Sequence, residues 1–534
     1  MNRMILTTIS ILAAALLGMG CSDKDNPVLT DRNLDETATY FASSDDKKSD
    51  TFYKPAVGYV ADPMPFFDPV AGDYKIMYLQ DYHPNHVSRY HPLWAVSTKD
   101  AASYVSLGEL VSCGGEKEQD AAIGTGCVVY NSNDKLYYTF YTGNKYKPTA
   151  EECGQVVMYA TSPDFKTWTK NMEFFLKGPE AGYSASDFRD PHVFTGDDGR
   201  FHMLVSTKKD GKGVLAEYVS DDMKTWNHVG VFMTMMWDRF YECPDLFKMG
   251  DWWYLVYSEM HNALRKVQYF KGKTLDELKA CTANDAGLWP DYREGFLDGR
   301  GFYAGKTASD GTDRYIWGWN AYRPGSVNTE AYDWGGNLVA HKLVQNTDGT
   351  LCCVPVPAVA EKFAGKSVKV EMKASSETGV TFDNSSAEGA SCTLAEGTYA
   401  LFNRLGTYNC ITFKVKTSSD TDKFGMSFVR GTDSQNWYSF ICQYEDWAGK
   451  RKVNFENEGE GGKGFIDGSD SVLFPDPENN EFNVTIYTDN SVVTIYINNE
   501  LAYTTRVYGL AKNPWSINCY AGNIEVVDLK VAEY

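Results

Sequence analysis

The sequence predicts an all-β protein, a five-bladed β-propeller followed by a C-terminal β-sandwich. Three observations carry that prediction. The chain reads almost throughout as short alternating runs cut by Gly, Asp and Asn turns, the pattern of half-buried strands. An acidic turn followed by an aromatic-rich strand recurs five times and stops after about residue 356. Aromatic residues are 14% of the 534 positions, with 35 Tyr, 28 Phe and 13 Trp; such residues favour strands and offer flat apolar platforms with polar handles.

The first segment is an address. Arg3 precedes an apolar run from Met4 to Gly20, ending in small residues before Cys21, which reads as a secretory signal over 1–21. The run is too short for a comfortable membrane span. Leu17-Gly18-Met19-Gly20-Cys21 resembles a bacterial lipoprotein box, so Cys21 is the expected lipidation site and the only expected link to a membrane. Asp23 and Asp25 resemble the export tag of Bacteroides-type surface lipoproteins, which implies a lipid-anchored protein of the outer membrane, exposed at the cell surface. Residues 22–50, rich in Asp, Ser, Lys and Thr without periodicity, read as a tether.

The propeller is expected over 51–355. Its turn aspartates fall at 73, 134, 198, 251 and 313, so the beat is 61, 64, 53 and 62 residues, room for four strands per unit. Early units carry a second echo: Ser97-Thr98, then Ser162-Pro163-Asp164 with Trp168, then Ser220-Asp221-Asp222 with Trp226. Small sheets that cannot bury both faces alone, repeated at this length, indicate a propeller. Over 356–534 the runs 411–417, 482–488, 491–497 and 524–531 alternate strictly, with Asp489-Asn490 and Asn498-Asn499 as hairpin turns, and suggest a sandwich.

Charge narrows the function. Lys+Arg 51 against Asp+Glu 71 leaves a net −20, which repels phosphate backbones and excludes nucleic acid as a partner. The Gly-rich piece at 458–464 lacks phosphate-loop spacing, and no dinucleotide fingerprint or Ser-His-Asp elbow is present. His83, His86 and His91 cluster near the first blade with no HExxH motif or carboxylate-rich loop, so structural or substrate contact is expected rather than a metal; no cofactor is called for. The twelve cysteines show no paired spacing and imply no disulfide framework.

Eight to eleven positions before each turn aspartate stand Asp62, Thr125, Asp190, Glu242 and Tyr303, on the strands expected to line the channel. Any one acid here could serve a turn. Three at one phase, among apolar neighbours, should converge on one pocket, where crowding and desolvation drive carboxyl pKa values apart, as glycoside hydrolysis requires. Trp94, Trp317, Trp319 and Trp334 are candidate stacking platforms.

These residues resemble glycoside hydrolase family 32, the β-fructofuranosidases that include invertases, inulinases and levanases. The resemblance rests on Arg189-Asp190-Pro191, Glu242-Cys243 with Pro244-Asp245-Leu246-Phe247, Gln80, Ile123-Gly124-Thr125-Gly126, Tyr269-Phe270 and Gly301-Phe302-Tyr303. It implies a propeller-plus-sandwich fold and a neutral fructan of levan or inulin type as substrate. It also implies a retaining mechanism with Asp62 as nucleophile, Glu242 as acid and base, and Asp190 as transition-state stabiliser, with Arg189 in support. Gln80, Trp94, Thr125, Cys243, Tyr303 and Trp319 join as expected substrate contacts. Ala61 and Met64 stand where the family's nucleophile motif has Asn, and Pro65 where it has Gly, so an altered sugar pocket is expected. An Ala-Asp-Pro start is also similar to family 43, which acts on arabinans and xylans. That family, or a non-catalytic glycan-binding lipoprotein, is the alternative.

Overall fold

Each predicted hairpin is present in the computed structural model. It describes residues 49, 51–56, 58–81, 91–235, 239–259, 265–281, 295–430, 436–458 and 471–534. The segment 1–21 with Cys21, the tether 22–50 apart from Ser49, His83, His86 and 459–464 of the Gly-rich piece lie outside the described residues.

Five blades open with the inner strands Tyr59–Asp68, Ala122–Asn131, Phe188–Thr195, Tyr241–Met249 and Phe302–Ser309. Each inner strand turns at the acidic hairpin into an antiparallel second strand, beginning at Asp73, Leu136, Phe201, Trp252 and Arg314. Four blades have four strands and the fourth blade has three among the described residues. The pairing of Val60 with Gly336 ties the last blade to the first. Apolar clusters fill the seams: Met64, Leu79, Ile123 and Tyr141 between blades one and two, Phe140, Phe188 and Met203 between two and three, and Leu204, Tyr241 and Leu255 between three and four. The interleaved aromatics of the repeat are therefore largely seam packing.

The second echo is an Asx turn after the third strand. Oδ1 of Asp164 accepts from the amides of Lys166 and Thr167 at 2.8 Å each, and Asp222 does the same with Lys224 at 2.8 Å and Thr225 at 2.7 Å. Trp168 and Trp226 close these turns by donating to the carbonyls of Phe165 and Met223. A short aspartate side chain competes well for turn amides, which is why the motif repeats as sequence.

The C-terminal unit packs an eight-stranded sheet on a seven-stranded one around a core that includes Phe402, Ile411, Phe424, Phe440, Ile486, Ile495 and Trp515. All four alternating runs belong to the eight-stranded sheet, as Tyr408–Thr417, Glu481–Asp489, Val492–Ile497 and Asn523–Glu533. Asn490 takes left-handed φ, 53°, in the two-residue connection between the paired Asp489 and Val492, and Asn498 and Asn499 take 53° and 56° in the three-residue connection between Ile497 and Leu501. Sandwich residues Tyr487, Val492, Tyr496 and Ala502 share a cluster with Val60, Phe302 and Trp317 of the propeller. All eleven described cysteines are free thiols.

Candidate active site

All five inner strands break register at one level. The breaks fall between Ala61 and Met64, Gly124 and Gly126, Arg189 and His192, Glu242 and Asp245, and Tyr303 and Lys306. An extra residue bends a strand and re-aims side chains, a device common beside active sites. In four breaks a non-glycine residue takes positive φ: Asp62 at 38°, Asp190 at 56°, Cys243 at 50° and Ala304 at 53°. Such a backbone costs on the order of 1–3 kcal/mol per residue and persists only where packing enforces it. The break corrects the expected phase of the acids. Asp62 and Asp190 are equivalent to Cys243 and Ala304, whereas Glu242 stands one position earlier, level with Ala61, Arg189 and Tyr303.

The bulged ends surround a pocket of about 500 Å³, lined by Asp62, Thr125, Arg189, Asp190, Glu242, Cys243 and Tyr303 among the expected residues. Asp62 Oδ1 accepts from the indole N–H of Trp319 at 3.0 Å, and its carbonyl accepts from the Thr125 hydroxyl at 3.2 Å. Asp190 is held by the Cys243 amide, which donates to Oδ2 at 2.9 Å, and its own amide donates to Thr142 Oγ1 at 2.9 Å. Glu242 is gripped on both oxygens. Arg189 Nη2 donates to Oε1 at 3.1 Å and the Tyr303 hydroxyl to Oε2 at 2.6 Å. Arg189 stacks over Phe240 at 3.9 Å and also reaches Asp187 at 3.2 Å, which fixes the guanidinium plane.

The electrostatics follow from this crowding. Burial, then the Asp190 carboxylate, push Asp62 up to about 7, against the Trp319 hydrogen bond, which favours the ionised form. Burial pushes Asp190 up to about 6, with Arg189 pulling in the other direction. The site therefore holds two carboxyl groups with raised pKa values, Asp62 and Asp190, beside Glu242, which a guanidinium and a phenol hold on both oxygens.

Three expected contacts are corrected. Gln80 does not line the pocket: it is fully buried opposite Val60, its amide against Gly58. Trp94 sits half-buried on the third strand of blade one, opposite Tyr78, packed on the cluster that holds Trp317. Trp319 is fully buried and offers no ring to a sugar; it acts on Asp62 through its N–H. Of the four tryptophans only Trp334 lines the pocket, stacked against His91 at 4.5 Å between centroids. Ala61 and Met64 are buried in the seam between blades one and two, and Met64 and Pro65 line a separate cavity of about 300 Å³ that also holds Lys306 and Asp245.

Asn144, Gln155, Arg265, Tyr332 and Asp333 line the pocket without having been anticipated. They lie on strand ends and loops outside the repeat phase. Nothing in the local sequence marks Arg265, whose guanidinium stands 4.7 Å from the Tyr303 ring through a tertiary contact. Among the described residues no three His, Cys, Asp or Glu side chains group as metal donors.

A five-bladed propeller with carboxylates and an arginine converging on one axial pocket, backed by a β-sandwich, defines the propeller class of glycoside hydrolase scaffolds. Within that class the chain belongs to glycosyl hydrolase family 32: the family's N-terminal domain profile matches residues 52–355, and the profile described as GH32, BT1760-like, C-terminal domain matches 349–531. This match displaces the family 43 alternative. The insoluble β-fructofuranosidase isoenzyme CWINV2 of Arabidopsis thaliana is 28% identical over 43% of this chain and 42% of its own length. The sucrose-6-phosphate hydrolase of Vibrio alginolyticus is 25% identical over 57% of this chain and 62% of its own. The chain thus spans about two to three fifths of these relatives. Solved structures share the fold: sucrose-6-phosphate hydrolase from Lactobacillus gasseri superposes with TM-score 0.70 at 17% identity over 95% of this chain and 97% of that one. Fructan 1-exohydrolase IIa from Cichorium intybus does so with TM-score 0.70 at 15% identity over 91% and 97%.

Proposed function

We propose that this protein hydrolyses β-fructosidic bonds with retention, acting on a fructan of levan or inulin type. The observation that carries the reading is the convergence of Asp62, Asp190 and Glu242 on one pocket, each held by different partners. Asp62, ionised, attacks the anomeric carbon of the fructosyl unit. Glu242 protonates the leaving oxygen and then, as base, activates the water that releases the sugar. Asp190, fixed by the Cys243 amide, accepts hydrogen bonds from sugar hydroxyls as charge develops on the ring. Arg189 and Tyr303 orient Glu242, so their role is positional.

The family supports a β-fructofuranosidase reading, and relatives named for sucrose phosphate and fructan both occur among those similar to the chain. The polymer is favoured by the anchored leader read at Cys21, which would place the enzyme where a polysaccharide too large to import is met. Purified protein assayed on levan, inulin and sucrose, with chromatography of products and the anomeric configuration read by NMR, tests each part. Release of β-fructofuranose from levan or inulin above sucrose is expected. Initial inversion would remove the covalent intermediate, a preference for sucrose would remove the polymer, and binding without release would restore the glycan-binding alternative.

A further inference from the structure

We propose that the sandwich is a positioning element of the sugar pocket, acting through Thr505 and Tyr508 on the loop that carries Tyr332, Asp333 and Trp334. This rests on the reading of the pocket as a fructosyl site.

Residues 322–335 join the second and third strands of blade five. The inner side of this loop is pocket wall, through Tyr332, Asp333 and Trp334. Its outer side is bonded to the strand Leu501–Arg506 and the residues after it. The hydroxyls of Tyr332 and Thr505 lie 3.0 Å apart, the Arg323 amide donates to the Tyr508 hydroxyl at 3.0 Å, and the Tyr508 amide donates to Asn328 Oδ1 at 2.7 Å. Asn328 Nδ2 returns a bond to the Tyr508 carbonyl at 3.1 Å, and the Arg323 guanidinium covers the Tyr332 ring at 3.7 Å. At the base of the loop the fully buried Arg506 donates to the carbonyls of Ala321 at 2.8 Å and Asn320 at 2.9 Å. The fit has no slack: a methyl on Gly301 would stand 2.3 Å from the Thr504 carbonyl oxygen.

Covering the propeller needs only the apolar contact of Tyr487, Val492 and Ala502. Directional bonds to the back of the pocket wall do something else. Thr505 is 2% exposed, so its hydroxyl is expensive to leave unpaired, and Tyr332 is its partner across the domain boundary. Binding surfaces must be held within roughly half an ångström to be productive, and they are held by the shell behind them. Loosening the wall removes binding common to ground and transition states, so KM should rise while kcat stays.

The test uses the full chain carrying Thr505→Val, Tyr332→Phe, both together, and Thr505→Ser. With levan and inulin as substrates, T505V should raise KM roughly 3- to 10-fold, the worth of one hydrogen bond, with kcat within about twofold and Tm close to wild type. The double variant should be no worse than the worse single one, and T505S should restore wild-type KM. Hydrogen exchange should show faster amides over 322–335 in T505V and not elsewhere, a readout independent of turnover. Unchanged exchange in that loop, additive KM effects, or a KM rise in Y332F alone would overturn the proposal. A wild-type protein inactive on levan, inulin and sucrose would overturn the functional reading instead, and the exchange result would still decide the clamp.

Discussion

Trp319 and Asp62, 257 positions apart in sequence, meet where the last blade closes on the first: the indole N–H donates to Asp62 Oδ1 at 3.0 Å. This donor favours the ionised carboxyl against burial and the Asp190 charge. Trp319→Phe removes it and should raise the Asp62 pKa above its present value of about 7. A nucleophile works ionised, so the acid limb of kcat/KM should move to higher pH by about one unit, the worth of one charge-assisted bond. The loss should be roughly tenfold below the limb and small above it. A pH profile of both proteins checks this; a limb that stays in place would show that Asp62 does not govern it.

Glu242 is oriented from two sides, by Arg189 at 3.1 Å and by the Tyr303 hydroxyl at 2.6 Å. Tyr303→Phe keeps the ring and its packing against Trp319 and deletes one of the two bonds that aim the carboxyl. kcat should fall roughly 3- to 10-fold, the worth of one hydrogen bond. Adding Y303F to Glu242→Gln should cost nothing further, since the tyrosine acts only through that carboxyl. Further loss in the double variant would mean that Tyr303 touches the substrate itself.

Much of this was legible in the sequence, for physical reasons. Asx turns and alternating aromatics are local requirements of each blade, so the hairpins at 73, 134, 198, 251 and 313 announced themselves. The acids were visible because a carboxyl amid apolar neighbours is costly without a purpose. The one-residue offset of Glu242 was not, because a bulge changes phase without changing composition. Gln80 and Trp94 have side chains suited to sugars, but residue type says nothing about which side of a blade a side chain faces. Arg265, Tyr332 and Asp333 come from strand ends and loops, whose placement depends on tertiary contacts, some with the sandwich.

Among the described residues Trp334 is the tryptophan that lines the pocket, against His91. Trp334→Ala should weaken binding of an inulin-type oligosaccharide roughly 5- to 50-fold, the usual range for losing an aromatic platform. The ring is only partly buried, so the melting temperature should change little. Calorimetric titration into the Glu242→Gln background, where no turnover interferes, measures this. Unchanged affinity would mean that the sugar rests on other residues of the lining, such as Asn144 and Gln155.

The crowded acids should also destabilise the fold in a pH-dependent way. Asp62 has its native pKa raised from 3.8 to about 7, mainly by burial. Below the unfolded value both states are protonated and the group costs nothing. As pH rises from about 4 to 7 the unfolded chain ionises first, so native stability falls, and above about 7 the loss is complete. A rise from 3.8 to about 7 corresponds to at most about 4 kcal/mol, shared with the coupled Asp190. Asp62→Asn retains an oxygen acceptor for Trp319 and carries no charge. It should therefore be inactive yet more stable than wild type at pH 8, with the gap shrinking towards pH 5. Urea midpoints at the two pH values decide it. An equal gain at both would assign the effect to packing, and a loss at pH 8 would mean that the carboxylate is better solvated in the native pocket than its surroundings imply.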